Sequence, residues 1–172
     1  MFKTIKRKLI LRSLRKALDN HSLIYITGVT YSGKSWLLSQ YDNDALLIDT
    51  NEYYDINLEQ SYCENRKRAV SGMLLHQVYK TTSQRVLIDE VELINDQIVI
   101  SIANYCLKVG KKLVITSQVY NPQLVDRIWE QLSGTQTIVN IELDKWNDKQ
   151  KVPSGHRIKP IQNERSQRKL FH

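Results

Sequence analysis

The hydrophobic residues of this chain form two alternating patterns. Short apolar runs bounded by polar residues occur at 23–27, 45–49, 85–90, 112–118 and 135–143. Between them lie segments in which apolar residues recur at helical spacing, at 34–41, 58–80, 95–110 and 121–132. Such runs are typical of buried strands, and strands that alternate with helices indicate a parallel sheet covered on both faces. We therefore predict an α/β domain of three layers, with a mainly parallel sheet of about five strands.

The two ends of the chain differ from this middle part. Residues 4–18 combine apolar side chains at helical spacing with a basic opposite face, which predicts an amphipathic helix. From residue 145 onward the sequence is polar, basic and interrupted by proline and glycine, which predicts a flexible tail. The expected organisation is a basic helix at 1–20, a core domain at 21–144 and a basic tail at 145–172. The apolar stripe expected on the helix consists of Ile5, Leu9, Leu11, Leu14 and Leu18.

Charge is distributed unevenly along the chain. The formal net charge is +7, yet residues 1–18 contain seven Lys or Arg and no acid, and residues 145–172 carry +6. The two ends together carry +13, which leaves −6 for residues 19–144. Positive ends on an acidic core favour an anionic partner, with nucleic acid and especially DNA first, and an acidic membrane surface or acidic protein as alternatives. The N-terminal helix also has a structural alternative, in which it packs on the sheet and its cations are only solvated.

Composition also limits the location of the protein and its metal chemistry. The sequence contains no run of about eighteen apolar residues, so we expect no transmembrane segment. Its N-terminus lacks the apolar core and cleavage site of a signal peptide. Cys63 and Cys106 fit no metal-binding spacing, and both fall in predicted helices, which suggests reduced thiols. The expected location is the cytoplasm, or the host cytoplasm or a virion if the protein is viral.

The most specific motif is G-x-x-x-x-G-K-S at residues 28–35, after one apolar run and before a helical segment. Its two glycines allow the loop to curl so that backbone N–H groups point at phosphate oxygens. The lysine supplies a charge to the outer phosphates, the serine a hydroxyl ligand for Mg²⁺, and the following helix its positive end. The motif predicts a site for ATP and Mg²⁺. The predicted nucleotide-binding residues are Gly28, Val29, Thr30, Tyr31, Ser32, Gly33, Lys34, Ser35 and Trp36.

Two acidic residues, Asp89 and Glu90, close the apolar run at 85–90. Ligands of parallel α/β sheets bind beyond the carboxyl ends of the strands, which is where both acids and the glycine-rich loop fall. We predict that Asp89 holds Mg²⁺ opposite Ser35 and that Glu90 accepts a proton from the attacking water. Glu92 is the alternative base.

Polar residues also end the apolar run at 112–118. Gln118 is the preferred candidate for a contact with the γ-phosphate, and Ser117 is the next. The following helix carries Arg127, which has two interpretations. It acts as an arginine finger on the nucleotide of a neighbouring subunit, or it forms an ion pair with Asp126 or Glu130 on its own surface.

These motifs together resemble the ASCE division of P-loop ATPases, in which another strand separates the loop strand from the acid strand. Within it, "LVITSQVYNPQLVDRIWEQL" is similar to the FtsK–HerA superfamily, where a strand ending in glutamine is followed by a proline and an arginine-bearing helix. That superfamily includes viral genome-packaging ATPases and zot-type phage assembly proteins. A small AAA+ protein, using Thr116 or Ser117 at the strand end, is the second branch, but its usual helical lid is missing. The resemblance covers residues 23–143 and implies nucleotide roles for Lys34, Ser35, Asp89, Glu90 and Gln118.

Three hypotheses for function follow from the motifs and the charge. The first is a Mg²⁺-dependent ATPase that translocates or packages nucleic acid as a homo-oligomeric ring. The second is a nucleotide switch that recruits partners and hydrolyses ATP slowly. The third is a small-molecule kinase that phosphorylates nucleosides. Turnover measured with and without DNA separates them, because a motor is stimulated, a switch stays slow and a kinase requires an acceptor.

Overall fold

The computed structural model describes residues 2–41, 44–51, 63–131, 138–144, 146–147, 152–153 and 156–161. Its helices are α1 (Phe2–Asn20), α2 (Lys34–Ser39), α3 (Cys63–Lys80), α4 (Asp96–Lys108) and α5 (Pro122–Gln131), with a short 3₁₀ helix at Val91–Leu93. Its strands are β1 (Leu23–Thr27), β2 (Leu46–Asp49), β3 (Arg85–Asp89), β4 (Lys112–Ser117), β5 (Ile138–Leu143), β6 (Trp146–Asn147), β7 (Val152–Pro153) and β8 (His156–Ile161). Every predicted strand and helix is present, and residues 58–62 of the predicted helix at 58–80 lie outside the described residues.

The main sheet contains six strands in the order β2-β3-β4-β1-β5-β8. Strands β1 to β5 are all parallel to one another, while β6 and β7 form a separate antiparallel pair. One strand, β4, lies between β1 and β3, so the strand after which the glycine-rich loop begins is not adjacent to the strand that carries the acid pair. The predicted α/β fold with a mainly parallel sheet is therefore confirmed, as is the strand separation that the resemblance implied.

Helices cover both faces of this sheet because side chains alternate between the faces along each buried strand. We call the side covered by α1 and α2 the α2 face, and the side covered by α3, α4 and α5 the α4 face. On the α2 face the strands contribute Ile24, Ile26, Leu87, Val114, Val139 and Ile141. On the α4 face they contribute Leu23, Tyr25, Ile48, Val86, Ile88, Leu113 and Ile115.

Helix α1 packs on the α2 face through part of the predicted stripe. Leu14 is buried and Leu11 packs against the same core, while the side chains of Ile5 and Leu18 lie outside those that the structure describes. The buried side chains are Ile10, Leu14 and Ala17, which recur at helical spacing, whereas Leu9 is 51% exposed. The prediction that Leu9 lies in the apolar stripe was therefore wrong. Contact with the sheet centres the buried stripe on Leu14 and leaves Leu9 on the solvent side of the helix.

Strand β8 corrects the prediction that residues 145–172 form a flexible tail. Residues 156–161 pair antiparallel with β5 at the edge of the main sheet. Lys159 Nζ lies 2.6 Å from one carboxylate oxygen of Glu142, and its hydrogen bond lowers the pKa of that carboxyl. Arg157 lies 3.5 Å from a carboxylate oxygen of Asp144. The strand escaped prediction because its alternation mixes cations with apolar residues and includes a proline, which is tolerated on an edge strand.

Composition predicted no transmembrane segment and reduced cysteine thiols. Within the described parts of the chain, no helix combines the length and the apolarity needed to cross a bilayer. Cys106 is a free, buried thiol in α4, and burial raises its pKa to about 12, so it stays protonated at neutral pH.

The packing of α1 predicts very different effects for two leucines of the same helix. Leu14 is fully buried, so Leu14→Ala should lower the free energy of unfolding by about 2–5 kcal/mol, because apolar burial is reduced and a cavity is left behind. Leu9→Ala is the matched control and should cost no more than about 0.5 kcal/mol. Urea unfolding of both variants measures the difference. Equal losses would mean that α1 does not pack in this register.

Candidate nucleotide-binding site

The glycine-rich loop connects β1 to α2 at the carboxyl edge of the parallel strands, and its two glycines are required for different reasons. A Cβ on Gly28 would lie 2.5 Å from Ser32 Oγ and 2.9 Å from the carbonyl oxygen of Leu143, so no side chain fits there. Gly33 has φ 95° immediately before α2, a conformation that residues with a Cβ rarely adopt. The loop therefore has the tight curl that the motif predicted.

Lys34, the first residue of α2, directs its ammonium group back into this loop. The side chain is only 5% exposed, and its Nζ donates hydrogen bonds to the carbonyl oxygens of Gly28 at 2.8 Å and Val29 at 3.4 Å. Ser32 Oγ is also buried and has no hydrogen-bond partner in the parts of the chain that the structure describes. A buried ammonium beside a buried hydroxyl that lacks a partner is a donor set suited to phosphate oxygens.

The remaining loop residues differ in exposure. Val29, Thr30 and Tyr31 are exposed, and Tyr31 adopts a left-handed conformation with φ 63°. Ser35 is exposed on the first turn of α2, where its hydroxyl is accessible to a metal ion. Trp36 is half-buried and packs against the core of the α2 face. The predicted metal ligand Ser35 therefore lies at the start of α2, directly after the loop, and is open to solvent.

Asp89, the last residue of β3, lies on the same face of the sheet as the loop helix. It follows Leu87 by two residues, and Leu87 packs on the α2 face. The Asp89 carboxylate is 4% exposed and accepts a hydrogen bond from the hydroxyl of Thr116. Thr116 belongs to β4, the strand between β1 and β3, so this hydrogen bond links the acid to the strand next to the loop strand. Carboxylate and hydroxyl oxygens are suitable Mg²⁺ ligands, so Asp89 and Ser35 fit the predicted metal role.

The two candidate bases have different partners. Glu90 Oε2 accepts a hydrogen bond of 2.8 Å from the side-chain amide of Asn51, at the exposed edge of the site. Glu92 Oε1 accepts a hydrogen bond of 2.9 Å from the backbone N–H of Gln118. This contact connects the 3₁₀ helix to the segment after β4. Each carboxylate thus has one oxygen engaged, and the choice of Glu90 over Glu92 as the base stays a prediction.

The end of β4 separates the three residues considered for the γ-phosphate. Thr116 faces Asp89 on the α2 face, while Ser117 lies on the α4 face, 3.0 Å from the hydroxyl of Tyr25. Burial raises the pKa of Tyr25, so that hydroxyl stays protonated. The Gln118 side chain is exposed, and its contact with a phosphate stays a prediction. Of the three, Thr116 is the one that forms hydrogen bonds with Asp89 and Glu90.

Arg127 lies on the exposed surface of α5. Its guanidinium is 3.7 Å from a carboxylate oxygen of Asp96, at the start of α4, and it also donates a hydrogen bond to Gln97. Its ion pair thus includes Asp96, an acid that the alternative of a surface ion pair did not name. Both side chains are nearly half exposed, and exposed pairs contribute only about 0–1 kcal/mol, so the guanidinium can leave this contact at low cost.

Thr50 and Asn51 were not predicted as site residues, because polar residues directly after a strand are common and these two belong to no motif. The Thr50 hydroxyl shares its one hydrogen between the carbonyl oxygens of Asp89 and Glu90, and Asn51 contacts the Glu90 carboxylate. The available signal was their position directly after an apolar run, because the carboxyl ends of neighbouring parallel strands meet at one edge.

The chain resembles a known protein family and several solved structures. The family model of an AAA domain matches residues 20–145, and no match was found among curated proteins. The match supports a P-loop ATPase domain, and a position near the FtsK–HerA superfamily stays a prediction.

Solved structures that resemble the chain include a Walker-type ATPase of Pyrococcus abyssi, at 15% identity and TM-score 0.49, covering 84% of this chain and 55% of that one. A KaiC-like protein of Pyrococcus horikoshii has 9% identity and TM-score 0.49, covering 83% and 80%. The ATPase DotB of Legionella pneumophila has 17% identity and TM-score 0.42, covering 88% and 48%. The chain thus spans little more than half the length of the Pyrococcus abyssi ATPase.

The loop geometry predicts opposite results for two glycine substitutions. Gly28→Ala should weaken ATP binding by more than about tenfold, a loss of about 1.4 kcal/mol, because the new methyl group displaces Ser32 or the Leu143 carbonyl. Gly72→Ala in α3 meets no atom within 4 Å and should leave binding unchanged. Isothermal titration with ATP and Mg²⁺ compares the two variants. Unchanged affinity in Gly28→Ala would contradict the cradle.

The different partners of the two glutamates predict different kinetic effects. Glu90→Gln should retain ATP binding and slow single-turnover hydrolysis by about 10²- to 10⁴-fold, because the amide cannot accept the proton. Glu92→Gln should have little effect, since an amide oxygen still accepts the Gln118 N–H. If Glu92→Gln shows the larger loss, the base is Glu92.

Proposed function

The chain belongs to the AAA domain family, and on that basis we propose that it is a Mg²⁺-dependent ATPase that acts on nucleic acid. One observation carries the proposal: a buried ammonium in a phosphate-shaped loop and a pair of acids converge at one edge of the sheet. The ammonium belongs to Lys34, and the acids Asp89 and Glu90 reach this edge because β3 and β1 run parallel on either side of β4. The arrangement suits binding and hydrolysis of a nucleoside triphosphate.

Each residue of the site has a distinct role in this reaction. The loop N–H groups, Ser32 and Lys34 bind the phosphates, and Lys34 exchanges its carbonyl contacts for phosphate oxygens. Mg²⁺ held by Ser35 and Asp89 supplies neutralisation of the phosphate charge. Glu90 orients the attacking water for in-line displacement and accepts its proton. Gln118, at the exposed end of β4, is placed to report the loss of the γ-phosphate.

The orientation of α1 supports nucleic acid as the substrate. With Ile10 and Leu14 packed on the sheet, Arg12 and Lys16 lie exposed one turn apart and point to solvent. A helix whose apolar stripe is already buried cannot insert that stripe into a bilayer, so this face suits a phosphate backbone better than a membrane. The cations of β8 are less suitable, because Glu142 and Asp144 partly neutralise them.

We propose further that copies of this chain assemble into a ring. Arg127 lies on an exposed helix surface, in a weak ion pair from which it could turn towards the nucleotide of a neighbouring copy. The likeness of the segment after β4 to the FtsK–HerA motors supports movement of nucleic acid as the work performed.

A nucleotide switch is the second candidate, and the Asn51 contact favours it. The amide of Asn51 occupies one oxygen of the Glu90 carboxylate, so a water molecule cannot approach that oxygen while the contact persists. A protein whose base is engaged in this way hydrolyses slowly until a partner moves Asn51.

Phosphate release from ATP separates these functions. The purified protein is assayed with Mg²⁺, with EDTA, and with or without duplex DNA. We expect turnover that requires Mg²⁺ and rises with DNA. Slow turnover that DNA does not change would favour the switch, and ADP formation only with an added nucleoside would identify a kinase.

The basic surface of α1 predicts the salt dependence of DNA binding. Neutralising Arg12 and Lys16 to Gln should weaken binding and flatten the slope of log K against log salt by about 0.9 for each DNA phosphate that these side chains neutralise. Neutralising Lys80 and Lys108 removes the same charge from helices on the opposite face and is the matched control. Equal slopes for both double variants would exclude α1 from the interface.

A further inference from the structure

Thr50 lies directly after β2 and bridges two consecutive carbonyls of the acid pair. Its side chain is 1% exposed, and its hydroxyl lies 2.7 Å from the carbonyl oxygen of Asp89 and 2.9 Å from that of Glu90. Backbone pairing between β2 and β3 ends one residue earlier, at Asp49 and Asp89. The hydroxyl of Thr50 therefore continues the connection between the strands where the backbone ladder stops.

The residue held in this way has an unfavourable backbone conformation. Glu90 has φ 55° and ψ 60°, the left-handed region that residues with a Cβ seldom occupy. Of the residues that the structure describes, only Tyr31 and Glu90 combine a side chain with a positive φ. Such conformations persist where the surroundings fix them, and they cluster at functional sites.

Contacts from both sides fix Glu90. The neighbouring segments on either side of β3 each provide a threonine: Thr50 holds the Glu90 carbonyl, and the hydroxyl of Thr116 accepts the Glu90 N–H at 2.9 Å. In a continued strand, residues 89 and 90 would point to opposite faces. The left-handed turn breaks that alternation and leads directly into the 3₁₀ helix at Val91–Leu93. The direction of the Glu90 carboxylate thus depends on this turn.

We propose that Thr50 is a positioning residue that holds Glu90 in its left-handed conformation and thereby aims the base of the reaction. This inference rests on the proposed ATPase function, but its structural part can be tested without any activity. Thr50 touches the backbone of the acid pair and acts on the reaction only through Glu90.

The kinetic test compares Thr50→Val, which removes the hydroxyl at nearly constant volume, with Thr50→Ser, which keeps it. Thr50→Val should lower kcat about 10- to 100-fold with little change in KM for ATP, because the base is misplaced while the phosphate loop is intact. Thr50→Ser should retain most of the rate. In a Glu90→Gln background, Thr50→Val should cause no further loss. An unchanged kcat, or an equal loss in both backgrounds, would overturn the positioning role.

The structural test uses unfolding midpoints in urea. Because glycine adopts the left-handed region freely, Glu90→Gly should unfold at a higher urea concentration than Glu90→Ala. That gap should shrink when Thr50→Val is added, since the turn is then free to relax. A gap that stays the same would overturn the proposal even if the protein hydrolyses no ATP. If Thr50→Val does not fold, Thr50→Ala admits water to the two carbonyls and takes its place in both tests.

Discussion

The hydroxyl of Thr116 is the contact on which the candidate site depends. It donates to the buried carboxylate of Asp89 and accepts the backbone N–H of Glu90, so one side chain holds both acids. The contact exists because β4 lies between β1 and β3. Thr116 is paired with Ile26 of the loop strand and lies one residue beyond Ile115, the last residue of β4 paired with β3. A buried carboxylate without such a donor would bear its full desolvation cost. The strand order therefore fixes the acids relative to the loop before any nucleotide binds.

The residues of the candidate site lie on the α2 face of the sheet, whereas the α4 face contributes to packing. Lys34, Asp89 and Thr116 all belong to the α2 face or its edge, while Ser117 contacts Tyr25 on the α4 face. Adjacent residues of β4 thus have unrelated roles because side chains alternate along a strand. Substitutions on the α4 face should act on stability, whereas those at the carboxyl edge of the α2 face should act on binding and turnover.

The sequence predicted the fold and the phosphate loop well because both have strong local signals. Apolar runs locate strands, and a glycine-lysine-serine motif between a strand and a helix has one dominant interpretation. Contacts made in three dimensions were harder to foresee. The phase of α1 depends on which side of the helix meets the sheet, and β8 requires pairing with β5. The roles of Thr50 and Asn51 depend on which strand lies beside β3, and the Asp96 partner of Arg127 depends on how two helices pack.

Calorimetric titration with ATP and Mg²⁺ tests whether Lys34 and the glycine-rich loop bind the nucleotide. The chain offers a matched pair of buried lysines, since Lys111 donates to the carbonyl oxygens of Thr81 and Ser83 at the opposite edge of the sheet. We expect one ATP bound per chain in the unaltered protein and in Lys111→Met, and no measurable binding in Lys34→Met. Unimpaired ATP binding by folded Lys34→Met would contradict this expectation.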